Sequence, residues 1–205
     1  MPYAEVWRGC TNQDGRSATL TAPNPEAQRL LLRSVYGNDE RPFAVECHGT
    51  GTKLGDPIEV DALREALGDA PVWLSSVKAV FGHTEGAAGI AGLIKLALCA
   101  QHGVWPRHAF ETLNPLLCLG HLRVVTDEIP IPPGVLLGVS SFGFGGTNAH
   151  VALRMPATPR PLVPAPTRPQ QWARPQPNYH DTPSVVAVDD WHASSYLHES
   201  NTTSL

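Results

Sequence analysis

The chain has 205 residues, with 15 basic and 19 acidic side chains and a formal net charge of −4. Hydrophobic residues make up 42% and charged residues 17%, which is typical of a globular protein and excludes wholesale disorder. The charge balance gives no electrostatic basis for binding nucleic acid or an anionic membrane, and no apolar run approaches the roughly 20 residues of a membrane span. The four cysteines form no C-x-x-C pair, so we expect neither a metal site nor a disulfide scaffold, and with no secretory signal we expect a cytoplasmic protein.

Strand and helix signals alternate along the first three quarters of the chain. Strands are predicted at residues 4–8, 43–47, 72–77, 122–126, 135–140 and 149–154, and helices at 24–36, 56–67 and from 84 to just before 103. In the second helix, Asp56 is predicted as the N-cap, with proline next and Glu59 at the third position of a capping box. Gly68 is predicted to end that helix in a left-handed conformation. The order βαβαβα followed by strands predicts an α/β sheet layered with helices.

The helix that follows residue 84 begins with almost no side-chain bulk, because residues 86–92 read GAAGIAG. We therefore predict that its backbone packs closely against another element.

Glycine and proline divide the chain at about residue 155. All 18 glycines lie at or before Gly146, whereas nine of the 20 prolines fall between Pro156 and Pro183. We predict two parts: a folded domain at 1–155, and a Pro-rich extended linker and tail at 156–205. Composition alone favours disorder in the tail. The alternative is that the aromatic stretch from Trp172 to Tyr196 docks along a partner or along the chain's own body.

Two histidines lie where a predicted strand gives way to a glycine-rich turn, in C-H-G-T-G-T at 47–52 and F-G-H-T-E-G at 81–86. Ligands of α/β folds bind at the carboxyl ends of strands, and the flanking glycines would let a ligand approach the backbone. The pattern is compatible with a site at which two imidazoles converge, or with two structural histidines. The other histidines considered, His102, His108 and His121, lack ligand-like spacing and are expected to face solvent.

A third glycine-rich turn, S-S-F-G-F-G-G-T-N at 140–148, follows a later strand. It could expose backbone N–H groups as an oxyanion hole, or it could be a tight β-turn with a packed phenylalanine.

Four ordered motifs carry a family resemblance. They are N-Q-D-G-R-S with L-T-A-P-N (12–24), E-C-H-G-T-G-T with G-D-P-I-E (46–59), S-V-K with G-H-T-E-G-A-A-G (76–89) and S-S-F-G-F-G-G-T-N-A-H (140–150). Together they resemble the second half of β-ketoacyl synthase (ketosynthase) domains, in wording closest to type I polyketide synthases and animal-type fatty acid synthases. The resemblance implies the C-terminal half of a thiolase-like fold, a mixed β-sheet layered with α-helices, which faces a similar N-terminal half.

The resemblance also implies a reaction, the decarboxylative Claisen condensation of a malonyl-type thioester with an acyl group held on a cysteine. His48 and His83 match the histidines that assist decarboxylation and stabilise the enolate oxygen. Lys78 matches a lysine that supports the second histidine. Polyketide or fatty acid biosynthesis is the implied setting.

Three further residues match substrate-contacting positions of the family. Phe144 matches a gating phenylalanine whose backbone N–H helps to form the oxyanion hole. Thr50 and Thr52 match hydroxyls that contact the phosphopantetheine arm of an acyl carrier protein. No metal and no cofactor of the chain's own is implied.

The nucleophilic cysteine of the family lies in the other half, in a D-T-A-C-S-S-like sequence, and none of Cys10, Cys47, Cys99 and Cys118 has that context. The favoured hypothesis is a split enzyme, a hetero-oligomer in which a separate N-terminal-half subunit bears the cysteine. The alternatives are a non-catalytic partner or scaffold in a synthase complex, and an inactive fragment. An isolated half should expose a large apolar surface around the helix after residue 84, so we predict an obligate partner.

Overall fold

The computed structural model describes residues 3–15, 22–37, 40–109 and 112–157. The predicted tail lies outside these ranges from residue 158 onward, so the division into two parts at residue 155 stays a prediction.

The described residues form strands and helices in the predicted alternation. In chain order these are β1 (Glu5–Gln13), α1 (Pro25–Tyr36), β2 (Pro42–Glu46), α2 (Gly55–Leu67), β3 (Val72–Ser75), α3 (Lys78–Phe81), a 3-10 turn (Glu85–Ala87), α4 (Ala88–His102), β4 (Val104–Trp105), β5 (Leu122–Val124), β6 (Ile129–Pro130), β7 (Leu136–Phe142) and β8 (Thr147–Arg154).

Six strands form one mixed sheet in the order β1-β8-β7-β2-β3-β5. The four strands β7, β2, β3 and β5 are parallel, whereas β8 runs antiparallel to both β7 and β1. Strands β4 and β6 form a separate antiparallel pair. The predicted mixed sheet with helices is therefore confirmed.

Helices cover both faces of the sheet. Successive side chains of each strand point to opposite sides, so the apolar residues of the strands contribute to two cores. Val45 packs with α1 and α2 in one core, and its neighbour Ala44 packs with α4 in the other. The same alternation separates Leu136 from Leu137. The result is a three-layer arrangement with the sheet in the middle.

The first helix begins and ends as predicted. The Asn24 side chain accepts hydrogen bonds from the backbone N–H groups of Glu26 and Ala27, at 3.0 and 3.3 Å. Pro25 occupies the first turn, and Gly37 follows the last residue with φ = 65°, a conformation that favours glycine.

The start of the second helix was predicted wrongly. Helix α2 begins at Gly55 with Leu54 as N-cap and no side-chain cap. Asp56 lies inside the helix, where its Oδ1 accepts a hydrogen bond from the Gly51 N–H at 3.1 Å. The Asp56 carboxylate therefore binds the backbone of the preceding loop, whereas the local pattern predicted that it would cap the start of the helix. The end of α2 at Gly68 and its positive φ of 67° agree with the prediction, whereas its ψ of −159° lies outside the left-handed helical region.

The segment between β3 and α4 also differs from the prediction. The strand ends at Ser75, and the short helix α3, which the sequence did not predict, follows it. The long helix begins at Ala88, after the 3-10 turn, instead of at residue 84.

Close backbone packing of α4 is confirmed. A Cβ at Gly89 would lie 2.9 Å from Ser141 Oγ, and one at Gly92 would lie 2.9 Å from Val139 Cγ2. Both distances are too short for a real side chain, so α4 sits against β7 only because these positions are glycine. Among the described residues, no helix combines the length and the apolar character that crossing a membrane requires.

Candidate functional site

The predicted site residues lie at the carboxyl ends of the parallel strands, the usual position for a ligand site in an α/β sheet. His48 follows β2 after Cys47, and His83 follows β3 by way of α3. Phe144 lies in the turn that joins β7 to β8.

The structure brings the two histidines together. The ring centroids of His48 and His83 are 5.5 Å apart with the planes at 84°, an edge-to-face arrangement. The ring of Phe142 lies 5.5 Å from His48 on another side. Phe142 is thus the packed phenylalanine of the third glycine-rich turn, and it restricts the position of the His48 ring.

The environment of His48 favours its neutral form. Burial lowers the pKa of His48 to about 4, and the charges of Lys78 and His83 contribute to this shift in the same direction. At neutral pH the imidazole is therefore uncharged. Its Nδ1 is buried and has no hydrogen-bond partner within the part of the chain that is described.

His83 is more open, with 36% of its side chain exposed. Its Nδ1 accepts a hydrogen bond from the Glu85 backbone N–H at 3.0 Å. A neutral imidazole that accepts at Nδ1 carries its proton on Nε2. The remaining N–H of His83 is therefore available as a donor.

The backbone at His48 is held by a buried carboxylate that the sequence reading missed. Glu59 Oε1 accepts the His48 N–H at 2.7 Å, and Oε2 accepts the Gly49 N–H at 2.9 Å. Burial raises the pKa of Glu59 to about 7, against the opposing effect of these two hydrogen bonds. The spacing D-P-I-E predicted a capping box, but Glu59 reaches across to the histidine loop instead.

Gly49 has a structural role that the sequence did not predict. Its φ is +47°, and a Cβ there would lie 2.7 Å from the Cβ of Ser76. The glycine is required because the loop after β2 passes close to the loop after β3.

A cleft of about 990 Å³ contains five of the predicted residues, namely His48, Thr50, Thr52, His83 and Phe144. The hydroxyl oxygens of Thr50 and Thr52 are 3.2 Å apart, and the Thr52 hydroxyl accepts the Gly55 N–H at 3.0 Å. Two imidazoles and two hydroxyls therefore line one cleft.

The turn that carries Phe144 is closed by two backbone hydrogen bonds, from Gly143 N–H to Thr147 O at 2.6 Å and from Gly146 N–H to Gly143 O at 2.9 Å. The Phe144 side chain is 77% exposed. Its own N–H meets no acceptor among the described residues. A donor of this kind is compatible with the oxyanion hole expected from the sequence.

Lys78 lies behind the cleft, at the start of α3. It lines a second cavity of about 350 Å³ together with Asp56, Glu59 and His83. Burial lowers the pKa of Lys78, whereas the charges of Glu59 and Glu46 raise it. Its positive charge acts on His48 by lowering the pKa of that imidazole.

The expectation that the remaining histidines face solvent holds only for His102, which is exposed. His108 is half-buried, its Nδ1 accepts the Ser76 N–H at 3.4 Å, and burial lowers its pKa. His121 is also half-buried, with its Nε2 out of contact with solvent. Spacing along the chain carried no signal for His108, because its partner Ser76 lies 32 residues away. Within the described ranges, no group of three or more His, Cys, Asp or Glu side chains is arranged to hold a metal ion.

A row of large apolar side chains lies exposed beside the site, and we name it the α3–α4 face. Its members are Val80, Phe81, Ile90, Ile94 and Leu98. Four of them, all except Ile90, line a groove of about 630 Å³. An exposed apolar row on two adjacent helices is typical of a surface that another protein segment covers.

Comparison with protein families gives two matches. Residues 3–110 match the family model described as the β-ketoacyl synthase C-terminal domain. Residues 114–193 match a second one, described as the ketoacyl-synthetase C-terminal extension, which runs through the predicted division at residue 155.

Similar proteins are large polyketide synthases. Over 173 residues the chain is 48% identical to a phenolphthiocerol/phthiocerol polyketide synthase of Mycobacterium tuberculosis (strain CDC 1551 / Oshkosh), a match covering 77% of this chain and 9% of the relative. It is 46% identical over 168 residues to the spectinabilin polyketide synthase system protein NorB of Streptomyces orinoci, covering 74% and 8%. The chain thus spans less than a tenth of the length of these relatives.

Solved structures give the same picture for the fold. The ketosynthase from module 6 of the bacillaene synthase of Bacillus subtilis 168 superposes with a TM-score of 0.70 and 37% sequence identity. That match covers 75% of this chain and 31% of the solved one. The oxazolomycin ketosynthase domain of Streptomyces albus JA3453 gives a TM-score of 0.70 at 35% identity, covering 77% and 30%. The predicted thiolase-like, C-terminal-half fold is therefore confirmed.

Proposed function

The chain belongs to the β-ketoacyl synthase family, whose C-terminal domain it carries, and from this membership we propose that His48 and His83 perform the decarboxylation step of a ketosynthase reaction. One observation carries the proposal. A neutral His48 lies 5.5 Å from His83 in a single cleft. Two imidazole N–H groups that converge on one point are suited to donate hydrogen bonds to one developing negative charge.

In the decarboxylation step, the bond between the malonyl α-carbon and its carboxylate breaks and CO2 leaves. The electron pair moves toward the thioester carbonyl and gives an enolate. The N–H on Nε2 of His83 stabilises the enolate oxygen together with an N–H of His48. Such donors act most strongly in a partly buried cleft, where water screens them little.

In the condensation step, the enolate carbon attacks the acyl thioester carbonyl and forms the new carbon–carbon bond. The tetrahedral intermediate bears an oxyanion, which the free Phe144 N–H is suited to stabilise. The intermediate collapses as the carbon–sulfur bond breaks, and the cysteine leaves as a thiolate. Lys78 supports both steps by helping to keep His48 uncharged.

The substrate class is a malonyl-type thioester on a carrier protein, in polyketide biosynthesis. The resemblance to polyketide synthases supports this choice of pathway over fatty acid biosynthesis. Thr50 and Thr52 lie on the cleft wall with their hydroxyls close together, where they are suited to contact the amide groups of a phosphopantetheine arm. The arm belongs to the substrate, and the domain needs no cofactor of its own for this chemistry.

A complementary N-terminal half must supply the cysteine, because none of the four cysteines in these 205 residues lies in the expected motif. The α3–α4 face is a suitable contact surface for that half, since it exposes five large apolar side chains beside His83. That the complementary half is a separate protein stays a prediction from the sequence.

Capture of the tagged chain from its native host, followed by mass spectrometry, tests the partner. A stoichiometric protein that carries a cysteine in a D-T-A-C-S-S-like sequence supports the proposal and provides material for an assay. A complete ketosynthase in its place would favour an accessory role. Recovery of aggregated chain without any partner would favour an inactive fragment.

Substitution of the histidines tests the chemistry in the assembled enzyme. We expect His48→Ala and His83→Ala each to lower the condensation rate by about 100-fold or more, while acylation of the cysteine and assembly stay intact. His121→Ala, which removes a half-buried imidazole that lines neither the histidine cleft nor the groove of the α3–α4 face, is the matched control and should condense normally. Loss of assembly in both variants would instead indicate structural histidines.

A further inference from the structure

A buried ion pair links the second strand to the long helix beneath the site. Glu46 is the last residue of β2 and is 1% exposed. Its Oε2 lies 2.5 Å from Nζ of Lys95, which projects from α4. Neither residue is among those that line the histidine cleft, so the proposed chemistry does not use them directly, although Lys95 also lines the groove of the α3–α4 face.

The pair belongs to a hydrogen-bonded cluster in which each polar group has partners. The Ser75 hydroxyl donates to Glu46 Oε2 at 3.2 Å and accepts from both Lys95 Nζ and Trp105 Nε1. Lys95 Nζ also lies 4.7 Å from the centre of the Trp105 ring. The cluster thus joins β2, β3, α4 and β4 through polar contacts.

The cluster is connected to both histidines through the backbone. Glu46 lies two residues before His48, so its position fixes the start of the loop that carries this imidazole. Its other oxygen, Oε1, accepts a short hydrogen bond from the Val77 N–H. Val77 is the residue before α3. It is the first of the seven residues, 77 to 83, that lead through α3 to His83.

We propose that Glu46 and Lys95 are positioning residues that set the spacing of His48 and His83. The effect of this pair on catalysis rests on the proposed function. The contacts that hold the two histidine segments do not depend on it. One carboxylate holds the starts of both histidine segments, and Lys95 holds that carboxylate in place. Burying two charges carries a desolvation cost that a well-packed apolar pair would avoid, and fixing two loops relative to each other is a gain that an apolar pair would not give.

The test measures the pKa and accessibility of individual histidines, by deuterium exchange at the imidazole C2 position read by mass spectrometry. It is applied to the full chain in whatever assembly it forms. In Lys95→Met we expect the pKa of His48 to rise by about one pH unit toward 6.5, because a loosened loop admits water. Lys95→Met also removes a positive charge, which by itself would raise the pKa of His48. The double variant Glu46→Gln/Lys95→Met keeps the net charge of the pair at zero, so a pKa change in that variant reports geometry.

Arg29→Met is the matched control. It also removes one positive charge from an ion pair, with Glu26 at the surface of α1, and should leave the histidine exchange unchanged. Lys95→Met leaves a buried carboxylate without its cation and could unfold the domain, so the double variant Glu46→Gln/Lys95→Met is measured beside it. The double variant lacks the ion pair and leaves neither of its two charges buried without a partner.

A double variant that keeps its circular dichroism but shows altered exchange of His48 or His83 supports the proposal. Unaltered exchange of both histidines in the folded double variant overturns it. In an assembled, active enzyme we also expect kcat for condensation to fall by about 100-fold with KM little changed. If the chain has no condensing activity in any assembly, the proposed function fails, while the exchange experiment still decides the positioning role.

Discussion

Neutral His150 should make the stability of this domain fall in mild acid. The imidazole is completely buried between two hydroxyls, with Tyr36 Oη 2.7 Å from Nε2 and Ser140 Oγ 2.9 Å from Nδ1. Burial lowers the pKa of His150 from 6.5 to about 3. The perturbation is a change of pH from 7 to 4.5, compared between the natural protein and His150→Gln, whose amide does not titrate.

The magnitude follows from the difference between the folded and unfolded pKa values. Because the folded value is the lower one, the contribution of neutral His150 is complete above pH 6.5 and is lost as the pH falls toward 3. At pH 4.5 the unfolded chain binds this proton and the folded domain does not. The loss is about 3 kcal/mol, equal to a factor of about 100 in the opening equilibrium.

The assay is amide hydrogen exchange of β7 and β8, which pair directly at Ser140 and His150. Protection factors, corrected for the intrinsic rate at each pH, report the opening equilibrium of these strands. We expect protection in the natural protein to fall by about 100-fold more than in His150→Gln between pH 7 and 4.5. His48 titrates with the same sign in both proteins, so it cancels in the comparison. Equal pH dependence in the two proteins would refute the reasoning.

Two further predictions concern packing. Gly92→Ala should destabilise the domain by about 1–3 kcal/mol, because the new Cβ would lie 2.9 Å from Val139 Cγ2. The same change at Gly86, which has open space around it in the 3-10 turn, should be tolerated, and denaturant melts of both variants compare the two sites. Ile94→Lys should weaken binding of the complementary half by at least about tenfold and reduce self-association in light scattering. Leu30→Lys on α1, a site of similar exposure (50% against 55%), is its control, and equal effects of the two changes would contradict the assignment of the α3–α4 face.

Local signals predicted the helices and strands where the competing interactions were also local. Helix α1 was predicted at residues 24–36 and runs over Pro25–Tyr36, and the donors of its Asn24 cap lie within three residues of Asn24. Asp56 has the same kind of side chain in an equally suitable pattern, but the Gly51 N–H of the preceding loop takes its carboxylate. The geometry of that loop depends on contacts with other segments, which local spacing does not report.

The same limit applies to the site. The two histidines could be predicted because each lies within its own glycine-rich motif at the end of a strand. Glu59 and the Glu46–Lys95 pair could not be given their roles, since the partners of each lie 10 to 49 residues away along the chain. The order of the strands in the sheet could not be predicted either, because β1 pairs with β8, which is distant along the chain.

Several contacts that fix the histidines arise within the described residues. Glu59 holds the backbone at His48, Phe142 packs on its ring, and the Glu85 N–H selects the tautomer of His83. Donors that are preorganised in this way stabilise developing charge without reorienting during the reaction. On the proposed function, the complementary half must therefore supply the nucleophile and a cover for the α3–α4 face. It need not create the geometry of the histidines, because the domain already holds it.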